Sequence, residues 1–414
     1  MDYNILNFGC EDMYLKQQST IRSLSKQLRK LRPQIIQDWK KPDDWELKAT
    51  NIHGKPVKSL TITLTPSGCS WANQGGCTMC GEYAGSTDGK RIDPIFHFAQ
   101  FASALSNFIN SKRIAPEWLR IYQEGNYLVN TEIDQSAQAD ILKLASSEGG
   151  VKRITIECMA KYIREENLAY ISKAIRPGVE LEIGMGFESA NDVIRNVCVN
   201  KGETLDDYKR AISILKKFGI RSLAYVLLKP PFLTEREAID DAIATIQTAE
   251  DLGFDAVSLQ PTTLHKNSLI HALYSQGLYK LPWLWSVIQV TKSASNIHDF
   301  RIGGFGFSPR PVDATQNFHY KDCDCNDIIW DAIRRYGENR DLKTLIKVCS
   351  KKEYSCKNDW LNECQENGAP FSDRLNSILK KFDLDKYSDY IANSNLIDTE
   401  NRLSIAGEST LYQK

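Results

Sequence analysis

Strand-like and helical patterns alternate regularly through most of this chain. Seven segments have the apolar or alternating pattern of β-strands, namely 59–65, 118–123, 153–158, 181–186, 221–228, 255–261 and 300–307. Helical patterns lie between them at 96–111, 137–147, 204–219 and 234–253. Repeated strand–helix units form a parallel sheet with helices outside. The alternation therefore predicts an α/β fold, either a partial or full (β/α) barrel or a doubly wound open sheet, with the barrel favoured by the number of units.

The chain divides into three regions by the character of its sequence. Residues 1–54 are a predicted N-terminal helical extension, in which 20–39 has a basic face that is either solvated or a contact for phosphate or an acidic partner. Residues 55–312 contain the predicted barrel core. Residues 313–414 combine short helical patterns with five cysteines and are a predicted small C-terminal appendage.

Charge and cysteine content exclude several classes of protein. The 414 residues include 52 Lys and Arg and 52 Asp and Glu, so no excess of positive charge directs the whole chain to nucleic acid. Neither a secretory signal pattern nor a run of about 18 apolar residues occurs, which predicts a cytoplasmic protein that does not enter a membrane. The 11 cysteines are odd in number and closely spaced, which favours reduced, metal-binding thiolates over disulfides.

Three cysteines share one glycine-rich loop directly after the first predicted strand. Cys69, Cys77 and Cys80 have the spacing C-x7-C-x2-C within GCSWANQGGCTMCGEY. Three thiolates bind three irons of a cubane [4Fe-4S] cluster, and the missing fourth cysteine leaves one iron open to the amino and carboxylate groups of a small molecule. Structural zinc is the alternative, but it requires a fourth ligand, and the nearest candidates are His53 and Cys158.

The cysteine loop and several later segments resemble the radical SAM superfamily, in the branch related to elongator-type and methylthiotransferase enzymes. Within that branch the chain is similar to the archaeosine-synthesis radical SAM lyase family. The matching segments cover most of 55–360 and are SLTITLTPSGCSWANQGGCTMCGEY, LEIGMGFESANDVI, AYVLLKPPFLTEREAIDD, LYKLPWLWSVIQV and FSPRPV with CDC. The resemblance implies a barrel of the radical SAM type. The superfamily's usual spacing is C-x3-C-x2-C, so the longer first gap is a departure that keeps the triad intact.

The resemblance also implies residues that bind S-adenosylmethionine (SAM). Glu124 and Glu157 lie at the ends of predicted strands, Glu182 lies within one, Glu188 and Ser189 open the helical segment that follows it, and Lys229 follows the fifth strand. The carboxylates would face the barrel mouth, where they could meet the amino group or ribose of SAM. Ser189 could equally be a helix cap. Lys229, held before two prolines, could meet the SAM carboxylate or an anionic substrate.

A second group of cysteines lies in the C-terminal region. Cys323, Cys325, Cys349 and Cys356 supply four thiolates, enough for a tetrahedral zinc site or an auxiliary iron–sulfur cluster. Cys364 could replace either distal partner, and buried free thiols are the alternative to a metal site. A zinc ion would help to fold this region, which has few apolar residues of its own.

The resemblance implies a radical reaction and a substrate. Reductive cleavage of SAM at the cluster would give methionine and a 5′-deoxyadenosyl radical, which abstracts hydrogen from the substrate without a side chain acting as general acid or base. The implied substrate is a 7-deazaguanine in tRNA that already carries lysine, attached by a partner enzyme. Breaking a C–N bond of that lysine would leave the amidine of archaeosine, which is lyase chemistry. An electron donor such as flavodoxin or ferredoxin is also implied.

Other functions stay open on the sequence alone. A radical SAM enzyme of this type could instead modify a small metabolite or a peptide, and lyase chemistry is not separated from transferase chemistry. A protein of a different class, a non-enzymatic zinc-binding protein, would use both cysteine groups for zinc. Anaerobic reconstitution with iron and sulfide discriminates these classes, because only the radical SAM enzyme then cleaves SAM.

Overall fold

Eight strands form a single sheet around which the helices pack. The computed structural model describes residues 6–31, 44–65, 67–81, 91–303, 313–317, 324–350, 354–366 and 368–393. The strands of the main sheet are β1 (Asp44–Ile52), β2 (Lys55–Thr63), β3 (Trp118–Tyr122), β4 (Arg153–Glu157), β5 (Glu180–Glu188), β6 (Arg221–Leu228), β7 (Ala256–Pro261) and β9 (Phe300–Ile302). Two short strands, β8 (Thr263–Leu264) and β10 (Asp313–Ala314), pair separately.

The main sheet has the topology of a partial barrel. β1 and β2 form an antiparallel hairpin, and every later pair, from β2 with β3 to β7 with β9, is parallel. Neighbouring strands follow one another along the chain, so strand order never reverses as it does in a doubly wound sheet. In the described residues β1 and β9 are the two edges of the sheet. The predicted barrel is confirmed in its partial form.

Alternation along the strands gives the sheet two chemically different faces. Side chains at successive positions point to opposite faces of a strand. The outer face is apolar and buried, with Leu60, Ile62, Leu119, Ile121, Ile154 and Ile156. The inner face is mainly polar and borders a cavity, with Thr61, Thr63, Arg120, Tyr122, Thr155 and Glu157. The helices therefore cover the outside, and the inside is free to bind a polar ligand.

Four helices pack on the outer face, each close to its predicted position. They are α2 (Pro94–Lys112), α3 (Gln135–Ser147), α5 (Leu205–Lys217) and α6 (Glu235–Leu252), and they contact β2, β4, β6 and β7. A side chain at the start of each helix accepts a hydrogen bond from its first turn, namely Asp93, Asp134, Thr204 and Thr234. Such caps contribute about 1 kcal/mol each and fix where the helices begin.

The N-terminal region contributes a strand as well as the predicted helix. The helix is α1 (Leu15–Lys30), and residues 32–39 of the predicted helical pattern lie outside the described residues. β1 was not indicated by any sequence pattern, yet all nine of its residues pair with β2. The hairpin places β1 at the sheet edge beside the predicted barrel core.

The remaining helices complete the core and close one side of the cavity. They are α4 (Glu165–Ile171), α7 (Leu269–Ser275), α8 (Leu284–Ser293), α9 (Cys325–Asn339), α10 (Leu342–Ser350), α11 (Ser355–Gln365) and α12 (Phe371–Lys381). Helix α9 contacts β1, β2 and β9, so it lies across the open side of the sheet. Apolar residues of α9 to α12 join the same buried cluster as the barrel. Among the described helices, none has the length and apolar character needed to span a bilayer.

Candidate active site

The predicted cysteine triad lies in the loop that follows β2. Cys69, Cys77 and Cys80 are all partly exposed there. The segment after β5 holds this loop by three hydrogen bonds: Thr78 donates its backbone N–H to the Val199 carbonyl at 2.9 Å and its hydroxyl to the Cys198 carbonyl at 2.8 Å, and Asn200 donates to the Gly76 carbonyl at 2.7 Å. The loop is thereby attached to the rigid barrel.

A buried carboxylate, Glu132, connects the cysteine loop to the end of β3. It accepts hydrogen bonds from the Ser70 backbone N–H at 2.8 Å, the Asn126 side chain at 2.9 Å and the Gln123 side chain at 3.2 Å. The Asn126 amide nitrogen lies 3.7 Å from the Cys69 sulfur. Glu132 therefore fixes both the backbone beside Cys69 and the amide that contacts its sulfur.

Burial suppresses ionisation of the cysteine thiols. It raises the pKa of Cys77 to about 12 and also raises the pKa of Cys69, with a further contribution from the Glu132 charge. Thiolates here consequently require a cationic partner such as iron. Within the described part of the chain, no three His, Cys, Asp or Glu side chains converge on one metal ion. Three thiols of one loop are the donor set of a cubane, in which each thiolate binds a different iron.

A buried ion pair lies beside the cysteine loop. Lys201 donates to Glu188 at 3.0 Å, and the two residues are 7% and 5% exposed. Burial lowers the pKa of Lys201, but the charges of Glu188 and Cys77 outweigh it and hold the pKa above its ordinary value. A permanent positive charge therefore lies close to the triad, where it balances the carboxylate and favours thiolate.

Two arginines of the basic helix α1 contact the cysteine loop. Arg22 donates to the Asn200 side chain at 3.3 Å and lies over the Trp71 ring. The Arg29 guanidinium lies against Gly76, whose φ of 63° is in the region that favours glycine, and a Cβ there would displace the guanidinium. The basic face, predicted as solvated or as a contact for phosphate or an acidic partner, is therefore partly a structural support for the loop.

A cavity of about 1050 Å³ opens beside Cys80 and extends over the inner face of the sheet. Met79 and Cys80 border it from the cysteine loop, and Trp330 and Ile333 border it from α9. Ligand sites for small molecules usually measure about 300–1,000 Å³. This cavity is at the upper end of that range, so it has room for a cofactor and part of a second molecule.

Three of the predicted SAM residues line this cavity close to the ends of their strands. They are Glu124, Glu157 and Glu188. Glu188 follows a β-bulge, because the register of β5 against β6 shifts between Gly186 and Glu188. A bulge re-aims the side chain that follows it. Glu124 and Glu188 also have positive φ angles of 44° and 59°, a costly conformation that the surrounding structure imposes.

Glu182 borders the cavity but is committed to an ion pair. Arg301 donates to its two carboxylate oxygens at 2.8 Å each, and Thr155 donates at 3.0 Å. Burial raises the pKa of Glu182, but Arg301 outweighs that effect and holds the pKa below its ordinary value. Glu182 therefore has a structural role in joining β5 to β9, and a SAM contact through it stays a prediction.

Ser189 and Lys229 lie outside the cavity, contrary to the role expected from the sequence. The Ser189 hydroxyl donates to Asp241 at 2.6 Å and accepts from the Asn191 backbone at 3.1 Å. Lys229 donates to Glu235 at 2.6 Å, and both residues are buried. The sequence does not indicate which face a polar residue at the end of a strand occupies. The side chains of Ser189 and Lys229 both point toward helix α6, where Asp241 and Glu235 are their partners.

Several residues of the site were not identified from the sequence. Tyr122 and Tyr225 line the cavity, and Tyr225 hydrogen-bonds to Glu157. Burial raises the pKa of Tyr225 well above its ordinary value, so it remains a proton donor. Tyr122 lies two residues after Arg120 in the same strand, so the alternation of side chains along a β-strand could have indicated that both face the inside of the sheet. Glu132 had no such signal, because it lies in a loop far from Cys69 in the chain.

The C-terminal cysteines are only partly brought together. The sulfurs of Cys325 and Cys356 lie 3.5 Å apart, and both residues are buried. Trp285 donates its indole N–H to Cys356 at 3.4 Å, and the Asn317 amide nitrogen lies 3.5 Å from the Cys325 sulfur. Cys349 is buried in α10, and the predicted ligand Cys323 lies outside the described residues.

Comparison with known proteins identifies archaeal relatives. No protein-family model matches the chain. The uncharacterized protein MJ0550 of Methanocaldococcus jannaschii is 32% identical over 331 residues, which cover 78% of this chain and 87% of that protein. Archaeosine synthase subunit beta of Methanosarcina acetivorans is 28% identical over 311 residues, covering 75% and 86%. The corresponding subunit of Thermococcus kodakarensis is 28% identical over 314 residues, covering 75% and 93%.

Solved structures with a related fold are more distant. Methylornithine synthase has a TM-score of 0.42 and 12% identity over 72% of each chain. Elp3 of Methanocaldococcus infernus has a TM-score of 0.43 and 14% identity over 59% of each chain.

The partial barrel, with its cysteine triad in the loop after the first parallel strand, is an α/β fold of the kind expected from the sequence. The chain belongs to the family of MJ0550, and the archaeosine synthase subunit beta proteins are similar to it over most of its length.

Proposed function

We propose that this chain is a radical SAM enzyme of archaeosine-type synthesis, which uses a [4Fe-4S] cluster and SAM and acts as a C–N lyase on a 7-deazaguanine of tRNA that already carries lysine. The observation that carries the proposal is the cysteine loop opening into a polar cavity beside three strand-end carboxylates. The similarity over most of the chain to proteins named archaeosine synthase subunit beta supports the substrate class. Such a subunit also requires a partner, which we take to be the lysine-transferring enzyme.

In this proposal Cys69, Cys77 and Cys80 would hold the cluster, and Cys80 borders the cavity. A cluster and SAM bound there would supply radical chemistry for hydrogen abstraction from the substrate. Glu132 and Asn126 orient Cys69, and Lys201 offsets negative charge at the site. The electron would come from a small redox protein such as flavodoxin or ferredoxin.

We assign the binding of SAM to the cavity carboxylates. Glu124, Glu157 and Glu188 offer acceptors to the amino group and the ribose hydroxyls of SAM, which are all donors. Glu188 keeps its charge balanced by Lys201, and Glu157 is oriented by the Tyr225 hydroxyl. Glu157 and Glu188 end the neighbouring strands β4 and β5, so the sheet sets their spacing, and Glu124 lies two residues beyond the end of β3.

The second metal site also remains a proposal, with Cys325 and Cys356 as two of its ligands. Zinc–sulfur bonds of about 2.3 Å at a tetrahedral angle separate two sulfurs by roughly 3.8 Å. The sulfur separation of 3.5 Å is close to that value and far from the disulfide bond length of about 2.0 Å. The Trp285 and Asn317 donors suit thiolate sulfurs. Cys349 and Cys323 are the further ligands predicted from the sequence.

Two measurements test the main proposal. The anaerobically reconstituted protein should form 5′-deoxyadenosine from SAM under dithionite, and C77A should abolish this product. C198A is the matched control, because Cys198 is a buried cysteine that supports the loop only through its backbone carbonyl. Mass spectrometry of tRNA nucleosides from a deletion strain should show lysine-bearing 7-deazaguanine accumulating in place of archaeosine. Unchanged 7-deazaguanine nucleosides would overturn the tRNA substrate and favour a small metabolite or peptide.

A further inference from the structure

The inner face of the sheet carries acidic and basic groups at different depths. Arg120 of β3 pairs in register with Thr155 of β4, and Glu157 lies two residues further along β4. Two strand residues span about 7 Å. Arg120 therefore lies about 7 Å deeper in the cavity than Glu157, on the side away from Cys80.

Arg120 has no carboxylate partner among the described residues. Its guanidinium lies over the Trp118 indole, 4.3 Å from the ring centroid, and the side chain lines the cavity. The other cavity arginines are engaged: Arg301 pairs with Glu182, Arg334 with Asp331 and Glu338, and Arg340 donates to the Phe300 carbonyl. A half-buried guanidinium left without an anion is costly unless a ligand supplies one.

Positive charge accumulates on this side of the cavity. Burial lowers the pKa of Arg340 in the α9–α10 connection, and the like charges of Arg301 and, to a smaller extent, Arg120 lower it further. Lys48 of β1 borders the same cavity. Indole stacking stabilises the Arg120 cation and orients its plane, but it leaves the N–H donors at the rim of the guanidinium available. The arrangement is that of a pre-oriented anion receptor.

We propose that Arg120 binds a carboxylate of the substrate and so fixes which end of the substrate reaches the cavity mouth. This inference rests on the proposed function, in which the substrate carries lysine and so presents an α-carboxylate. A guanidinium binds a carboxylate or a phosphate through two parallel hydrogen bonds. A carboxylate at Arg120 places the carbon chain that follows it beside Tyr122 and Glu157, one step closer to Cys80. Phosphate of the tRNA chain is the other source of the same chemistry.

Kinetics on lysine-bearing tRNA test the assignment. R120Q removes the charge and the bidentate donor, so KM should rise roughly 10- to 100-fold while kcat changes by less than about threefold. R120K keeps the charge and should recover part of the loss. R334Q is the matched control, because Arg334 lines the same cavity but already has carboxylate partners, and its KM should be unchanged. Iron content of each variant checks folding. An unchanged KM in folded R120Q overturns the proposal.

A second substrate separates the two anion sources. With lysine replaced by lysinamide on the same tRNA, the KM of the wild-type enzyme should rise by as much as R120Q raises it on the lysine-bearing tRNA. The KM of R120Q should not rise further on the lysinamide substrate. An equal R120Q effect on both substrates would assign Arg120 to phosphate and overturn the carboxylate. The proposed function fails separately, if the wild-type enzyme cleaves SAM but converts no lysine-bearing tRNA. In that case the affinity for Nε-acetyllysine, measured at equilibrium, tests the anion site by itself. R120Q must weaken this affinity if Arg120 binds the carboxylate.

Discussion

Replacing Lys229 with methionine should destabilise the protein rather than remove a SAM ligand. Lys229 and Glu235 are 3% and 1% exposed, with 2.6 Å between the ammonium and carboxylate. Methionine keeps the side-chain length but leaves Glu235 buried without its cation. Removing one partner of a buried ion pair costs about 3–5 kcal/mol. The Trp283 backbone N–H and the Ser286 hydroxyl still donate to Glu235, which favours the lower end of that range.

The expected change in melting temperature follows from the size of the chain. Unfolding entropy is about 2.1 cal/mol/K per residue, so 414 residues give about 0.9 kcal/mol/K. A loss of about 3 kcal/mol therefore lowers Tm by roughly 3–4 °C. Differential scanning calorimetry resolves such a shift. The surface variant K280M is the control, because Lys280 is 74% exposed and should leave Tm unchanged.

A double variant and a cofactor assay separate the two roles of Lys229. K229M/E235Q removes both charges and keeps a carbonyl acceptor for Trp283 and Ser286, so it should recover much of the lost stability. Folded K229M should still form 5′-deoxyadenosine from SAM at close to the wild-type rate. A K229M protein with wild-type Tm and no SAM cleavage would refute this reasoning and return Lys229 to the cofactor site.

Three further predictions concern other buried groups. E132Q places an amide donor where backbone and side-chain donors point, so the iron bound after anaerobic reconstitution should fall by at least half. E166Q, a change at an exposed residue, should bind as much iron as the wild type. Equal iron contents in the two variants would contradict the role of Glu132. Burial raises the pKa of Asp241 to about 7, so the free energy of unfolding should fall by about 3 kcal/mol as pH rises from 4 to 7, relative to D241N. Urea denaturation at pH 4 and pH 7 that shows no such difference between the two proteins would contradict this prediction. C325S should lower zinc content measured by mass spectrometry and C364S should not, and equal zinc in both would exclude Cys325 as a ligand.

The helices and the cysteine loop could be predicted because their signals are local. Each outer helix has its cap and its apolar face within one stretch of sequence, and the triad lies within 12 consecutive residues, Cys69 to Cys80. β1 had no such signal. Its pairing with β2 depends on a hairpin whose partner positions are decided by tertiary contact.

The orientation of polar residues at strand ends could not be predicted in the same way. Glu188 reaches the cavity because a β-bulge precedes it, and a bulge has no reliable sequence signature. Its neighbour Ser189 turns to Asp241 instead. Adjacent residues on a strand point to opposite faces, so a one-residue change of register exchanges a ligand for a core residue.

The C-terminal region bears on chemistry as well as on folding. An eight-stranded open sheet leaves a gap between β1 and β9, and α9 lies across that gap with Trp330 and Ile333 against the cavity. In the proposed reaction a carbon radical would abstract hydrogen from any suitable donor within reach, so the site must exclude water and stray groups. Helix α9 provides an apolar part of that wall, while Arg340, which follows α9, provides a charged part. The segment predicted as an appendage therefore helps to decide both what enters the cavity and how it is oriented.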